Sequence, residues 1–250
     1  MIKQLIPIAI KDKLKTTLKR IVNGSELAYP STSHCGEDRI LAYLLKKRRN
    51  GFFIDIGAFH PITSSNTYAF YKQGWRGINI DPFPGSMNAF KALRPEDINL
   101  EIGIGPEETE LTYYKIGEGH HQMNGFNPDF QKAHFEEFGI DPSTVKQIPI
   151  KVYPIKNIFD KWLKPNQVID FMSIDVEGFE ETILRSNDWT KYRPIVVMIE
   201  DHRTIKDVAT SVSLLSFMNS NNYTFVFKTP NEIIFLNNDY SLNKSAIVIL

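Results

Sequence analysis

Apolar positions in this chain fall into short continuous runs that recur at the spacing of a βα repeat. Phe52-Phe53-Ile54-Asp55-Ile56, between Gly51 and Gly57, reads as a strand buried on both faces whose carboxyl end opens at a glycine turn. About 20 residues on, Gly77-Ile78-Asn79-Ile80 repeats the pattern and ends in another acid, Asp81. Further runs at 99–104, 168–174 and 195–199 predict strands three to five. Tyr223 to Phe227 and Ile233 to Leu236, with only Lys228 to Glu232 between them, read as an antiparallel pair at the sheet edge.

Helical spacing fills the gaps. Gly36-Glu37-Asp38-Arg39 opens a helix with an apolar face of Ile40, Leu41, Leu44 and Leu45, closed by basic Lys46 to Arg49, which suits the helix dipole. Others are expected from Ser64-Ser65-Asn66-Thr67 to Gly74, and over 85–93, 155–163, 179–185 and 205–219. Strands alternating with helices predict a doubly wound α/β fold with a mostly parallel sheet.

Two stretches depart from this rhythm. Glu110 to Tyr114 alternates like an added strand or hairpin arm. Residues 117–149 hold Gly117, Gly119, His120, His121, Asn124, Gly125 and a polar helix near Pro128 to Phe138, and read as an inserted lid or substrate-recognition segment. At the N-terminus, Leu14, Leu18 and Ile21 have helical spacing, and Leu5 to Ile10 is too short for a secretory or membrane-spanning segment. It reads as a surface contact, including one between copies in a homo-oligomer. The expected division is a helical segment over 1–50 and one main domain over 51–250.

Composition narrows the partners. Lys plus Arg and Asp plus Glu number 29 each, so no global field draws the chain to nucleic acid or an acidic membrane, and a small molecule is the expected partner. One cysteine, Cys35, excludes an internal disulfide and fits a reducing, cytoplasmic setting.

The chemistry gathers at strand ends. Asp55, Asp81, Asp175 with Glu177, and Glu200 with Asp201 each stand where an apolar run gives way to a loop, so the fold would collect them on one rim. Any one alone could simply cap the next helix; the recurrence is what points to a site. An acid after the second strand is placed to grip a ribose diol. Ala58, Phe59, His60 and Pro61 replace the glycines of a dinucleotide fingerprint, so the turn suits a nucleoside cofactor without phosphates there. Trp75, Tyr113, Tyr114 and Trp162 read as core, although an aromatic near the insertion could stack on a sugar face.

The segments Gly36-Glu37-Asp38, Phe53 to Pro61, Ser65-Asn66-Thr67, Gly74 to Pro82 and Ile174 to Glu180 together resemble the FkbM family of S-adenosylmethionine-dependent methyltransferases, over about residues 33–236. The resemblance implies a Rossmann-like class I methyltransferase sheet of seven strands with the last antiparallel. It implies S-adenosylmethionine as cofactor, near Glu37, Asp55, Gly57, Ala58, Asn66, Asp81, Pro82 and Asp175, and methylation of a sugar hydroxyl on a nucleotide-activated sugar or glycan. His34 stands where the family often has Gln.

Transfer to a hydroxyl requires alignment and help with proton loss. Glu177, His202 and His60 are the candidate bases, with Asp175 beside them. A divalent cation, Mg2+ or Mn2+, on Asp175, Glu200 and Asp201 is the other device. Two rival readings are a glycan- or nucleotide-sugar-binding protein that keeps the fold without turnover, and an NAD-dependent oxidoreductase, which the missing glycines disfavour.

Overall fold

The computed structural model describes residues 31–45, 48–117, 119, 121–203 and 212–240. In chain order these form α1 (Glu37–Leu44), β1 (Phe52–Ile56), α2 (Tyr68–Lys72), β2 (Arg76–Ile80), α3 (Met87–Leu93), β3 (Ile98–Leu100), β4 (Gly103–Ile104) and β5 (Thr109–Ile116). There follow α4 (Pro128–Phe138), β6 (Val145–Tyr153), α5 (Ile155–Trp162), β7 (Phe171–Ile174), α6 (Glu180–Arg185), β8 (Val196–Glu200), α7 (Val212–Ser220), β9 (Tyr223–Lys228) and β10 (Glu232–Asn237). The helix expected over 11–22, like the first part of the one expected from 205, lies outside the described residues.

Seven strands form one sheet in the order β3-β2-β1-β7-β8-β10-β9. β1 pairs in parallel with both β2 and β7, while β10 runs antiparallel to β8 and β9, as expected for the last strand. The continuous apolar runs follow from burial on both faces: side chains alternate between two layers. Ile54, Met172, Val197 and Phe235 pack in one layer, against Ile158 and Phe159 of α5 and Ile183 and Leu184 of α6. Phe53, Phe171, Val196, Met198 and Ile234 pack in the other, with Leu41 and Leu44 of α1, Phe70 of α2 and Trp75. Helix α1, placed by the sequence in the N-terminal segment, is therefore part of this layer.

The single strand expected over 99–104 is in fact two. It breaks at Glu101-Ile102, and β4 leaves the main sheet for a second sheet of order β4-β6-β5, in which β5 and β6 are antiparallel. Glu110 to Tyr114 is thus one arm of a long pair whose partner, β6, takes in the last residues of the stretch read as an insertion. The helix within the insertion is observed at Pro128–Phe138, with Asn127 as its N-cap and Gly139 closing it in a left-handed turn. The helix ends at Leu44 with no basic residue in its last turn, and of the basic run read as its cap Arg48 instead forms an ion pair with Asp170, whose other oxygen accepts Phe52 N at 2.8 Å.

Candidate active site

Between β1 and β7 the strand order reverses, which opens a crevice at the carboxyl ends of the strands. A cavity of about 370 Å³ lies there. Its floor is Ile56-Gly57, Ile80-Asp81-Pro82, Asp175-Val176-Glu177 and Glu200; His202, Asn231 and Glu232 close one end, and residues 121–126 of the insertion cover another.

Gly57 makes the floor possible. Its φ is +81°, and a Cβ there would lie 1.6 Å from the carbonyl oxygen of Asp175, so only glycine lets the ends of β1 and β7 approach this closely. Gly57 N donates to Ile80 O at 2.9 Å, and Asp175 N to Ile56 O at 3.0 Å, which fixes the three strand ends together. Asp81 accepts Phe59 N at 3.0 Å through Oδ2 and Phe83 N at 2.9 Å through Oδ1. Asp81 lines the cavity beside these two backbone contacts. Phe59 and Glu177, both lining it, hold positive φ of 48° and 57°, a conformation that concentrates at functional sites.

The far end is a nest of acids. Oxygens of Asp175, Glu177 and Glu200 all lie within 4.8 Å of one another. Glu200 Oε2 accepts Glu177 N at 3.3 Å, and Oε1 is 2.8 Å from His202 Nε2. Glu180 Oε1 accepts the N–H groups of Val176 and Gly178, each at 3.1 Å, and so shapes the loop that carries Glu177. Burial, then the charge of Asp175, pushes the Glu177 carboxyl up to about 9. Burial and then Glu177 do the same to Glu200, again to about 9. Asp175 and Glu232 are pushed well above the usual carboxylate range, first by burial and then by neighbouring carboxylates. No lysine or arginine lines the cavity among the described residues.

Of the residues singled out in sequence, Gly57, Asn66, Asp81, Pro82, Asp175, Glu177, Glu200 and His202 line this cavity, as does His34. Asp55 does not. Two residues on from Phe53, it shares that residue's face toward the α2 layer, where Oδ2 accepts the Thr67 hydroxyl at 2.6 Å. His60 is also turned away, its Nδ1 accepting Ile62 N at 3.1 Å and Thr63 N at 3.0 Å, so it has no place as a base. Ala58 packs with Met87 and Phe90 below the turn. Glu37 stands off the cavity wall and accepts Cys35 N at 2.8 Å. Asp201 is held by Arg203 in a 2.6 Å ion pair outside the acidic nest; Glu177 takes the place assigned to it beside Asp175 and Glu200.

Sequence reasoning missed Glu232, Tyr113, Phe126 and Phe179 as lining residues. The one signal for Glu232 was its place immediately before a strand that had to sit beside the acid-tipped β8. Tyr113, read as core, is buried and also lines the cavity, its ring 5.0 Å from Phe126, which lies 5.8 Å from Phe179. His120 lies outside the described residues, and His121 lines the cavity.

A mostly parallel seven-stranded sheet with an antiparallel last strand and an acid-rimmed crevice at its carboxyl ends is a Rossmann-like fold of the class I methyltransferase type. The chain belongs to the FkbM methyltransferase family: residues 55–225 match the methyltransferase FkbM domain. Among curated proteins none matches it in sequence. Among solved structures it is similar to a methyltransferase FkbM from Methylobacillus flagellatus KT, at 13% identity and a TM-score of 0.43, over 94% of this chain and 56% of that one. It is also similar to a TehB-like SAM-dependent methyltransferase from Corynebacterium glutamicum ATCC 13032 Kitasato, at 10% identity and 0.40, over 93% of this chain and 100% of that one. Membership rests on the domain match and not on these distant likenesses; the chain spans about half the length of the first.

Proposed function

We propose that the chain is an S-adenosylmethionine-dependent O-methyltransferase acting on a hydroxyl of a sugar-containing acceptor. The observation that carries this reading is the acidic lining of the cavity, whose carboxyls are held toward their protonated form by burial and by one another and would ionise beside a cation. Asp81, Asp175, Glu177, Glu200 and Glu232 face it and no lysine or arginine does, among the described residues, which suits a cationic cofactor without phosphates. When bound, the cofactor supplies an electrophilic methyl group on a sulfonium.

The chain's own residues then have separable tasks. Asp81, which lines the cavity at the end of β2, accepts from ribose hydroxyls through charge-assisted hydrogen bonds. Gly57 offers backbone, with no side chain in the way, to the amino acid end. Tyr113, Phe126 and Phe179 give an apolar wall on which a sugar ring can lie, and residues 121–126 of the insertion complete the acceptor side. Proton loss from the hydroxyl falls to Glu177 or to His202, which Glu200 orients through the 2.8 Å contact. A hard divalent cation on the acidic rim is the second way to ease that proton's departure. The lack of lysine and arginine in the lining, among the described residues, favours a glycan over a nucleotide-activated sugar, whose diphosphate calls for such cations.

Calorimetric titration with S-adenosylhomocysteine, followed by release of that product with glycan acceptors, tests the reading. Tight binding and turnover are expected. A folded chain that binds no S-adenosylhomocysteine would overturn it, and binding without turnover on any hydroxyl acceptor would favour the non-catalytic alternative.

A further inference from the structure

Beside the acidic cavity lies a second one, of about 530 Å³, which the methyl-transfer chemistry above leaves unused. The two share a wall: Phe126 and Phe179, whose ring centroids are 5.8 Å apart, line both. Strand β5 serves both as well. Successive side chains of a strand point to opposite faces, so Tyr113 lines the first cavity while Thr112 and Tyr114 line the second. Thr182 and Arg185 join them from α6, three residues apart on one helix face, while Ile183 and Leu184 turn into the core.

The shared wall is fixed by the backbone on either side of it. Tyr114 N donates to Gly125 O at 2.9 Å and Gly125 N to Tyr114 O at 3.3 Å, which clips the insertion to β5 immediately before Phe126. Asn127 Nδ2 donates to Gly178 O at 2.9 Å, immediately before Phe179. The lining then selects the occupant. No carboxylate lines the second cavity among the described residues, so a sulfonium has no counter-charge there. Arg185, its one cation among them, is paired with Glu181 at 2.5 Å, which makes a poor seat for a phosphate. What remains is the ring faces of Tyr114, Phe126 and Phe179 beside the hydroxyls of Thr112, Tyr114 and Thr182. A sugar ring matches that combination, with a C–H face to lie on an aromatic and a hydroxyl edge to meet short polar groups. An acyl chain would use the rings but offer the hydroxyls no partner.

We propose that this second cavity is a subsite for a further sugar residue of the acceptor, so that the chain methylates an oligosaccharide in preference to a lone sugar. The inference rests on the sugar-acceptor reading above and deepens it. The residue that receives the methyl group lies in the first cavity, the glycan crosses the edge of the Phe126-Phe179 pair, and the neighbouring residue lies against Tyr114 between β5 and α6.

The test is an array of matched mono- and disaccharides, probed with the full chain in the presence of S-adenosylhomocysteine, and then methyl-transfer kinetics on the retained pair. The disaccharide is expected to exceed its monosaccharide by about tenfold or more, in retention and in kcat/KM, through KM and not kcat, since the added contact is the same in ground and transition states. Thr112→Trp and Thr182→Trp each put an indole into the second cavity and should erase that advantage; S-adenosylhomocysteine affinity equal to the parent's shows the variant to be folded. Equal treatment of the two saccharides by the parent chain would overturn the subsite, as would an advantage that survives both tryptophan variants. If an octyl glycoside gains as much as the disaccharide, the cavity takes an apolar tail and the saccharide subsite is wrong. No glycan retained by a chain that binds S-adenosylhomocysteine would overturn the subsite and leave the cofactor reading standing. Disaccharides preferred by a chain that binds no S-adenosylhomocysteine would uphold the subsite and overturn the cofactor reading.

Discussion

Gly57→Ala is the sharpest single perturbation the structure offers. The left-handed conformation at φ +81° costs an alanine about 1–2 kcal/mol on its own. The new Cβ would also sit 1.6 Å from Asp175 O, 2.8 Å from its carbonyl carbon and 3.3 Å from a Val176 methyl. Ordinary contact requires about 3.4 Å or more, so the Asp175 peptide must retreat by nearly 2 Å. That movement breaks the hydrogen bond from Asp175 N to Ile56 O, about 1 kcal/mol more, and carries the Asp175 carboxyl out of place. The expected loss is about 2–3 kcal/mol of stability, with the rate falling about 100-fold or more, the effect of misplacing a reacting group by an ångström. Gly139→Ala is the internal comparison: its φ is +65° with nothing within 4 Å of the new Cβ, so the conformational cost appears alone. Urea unfolding gives the first quantity, and methyl-transfer rate with S-adenosylhomocysteine calorimetry the second. If Gly57→Ala unfolds at the midpoint of Gly139→Ala and binds and turns over like the parent chain, the contact between β1 and β7 described above is wrong.

Other expectations follow from the same geometry. Arg94, fully buried, pairs with Asp97 at 2.9 Å and donates to Thr67 Oγ1 at 3.0 Å, so Arg94→Met should cost about 3–5 kcal/mol in urea unfolding by leaving Asp97 buried and unpaired; a smaller loss than 1 kcal/mol would show that the clamp is dispensable. Asp81→Ala should weaken S-adenosylhomocysteine by about 10- to 100-fold in calorimetry, the worth of charge-assisted hydrogen bonds, and unchanged affinity would remove Asp81 from the ribose. Glu177→Gln and His202→Asn should separate the two candidate bases: the true one loses about 100- to 10,000-fold in rate with cofactor affinity retained, and equal small losses from both would eliminate side-chain proton transfer.

Much of the frame could be read from sequence because both faces of the main sheet are buried. That made β1, β2, β7 and β8 continuous apolar runs with glycine or acid at their ends, and their order placed the crevice. The break between β3 and β4 could not be read, since Asn99 to Ile104 is one run and only β6, more than 40 residues on, pulls its second half into another sheet. Among site residues, Gly57, Asp81, Asp175, Glu177 and Glu200 were visible as strand ends. Asp55, His60 and Asp201 looked equivalent, and local contacts with Thr67, the backbone of residues 62–63 and Arg203 decided against them. Glu232 was hidden for the opposite reason: nothing near it in sequence marks it, and only the insertion of β10 between β8 and β9 sets it against Glu200.

That insertion also governs when the molecule becomes competent. Because β10 is flanked on both sides, a chain emerging from the ribosome through α7 has β8 as a bare edge, open to pairing with another copy. Addition of the final hairpin closes this edge and delivers the last acid to the pocket in the same event. Protection from aggregation and completion of the ligand site are therefore a single late step of biogenesis.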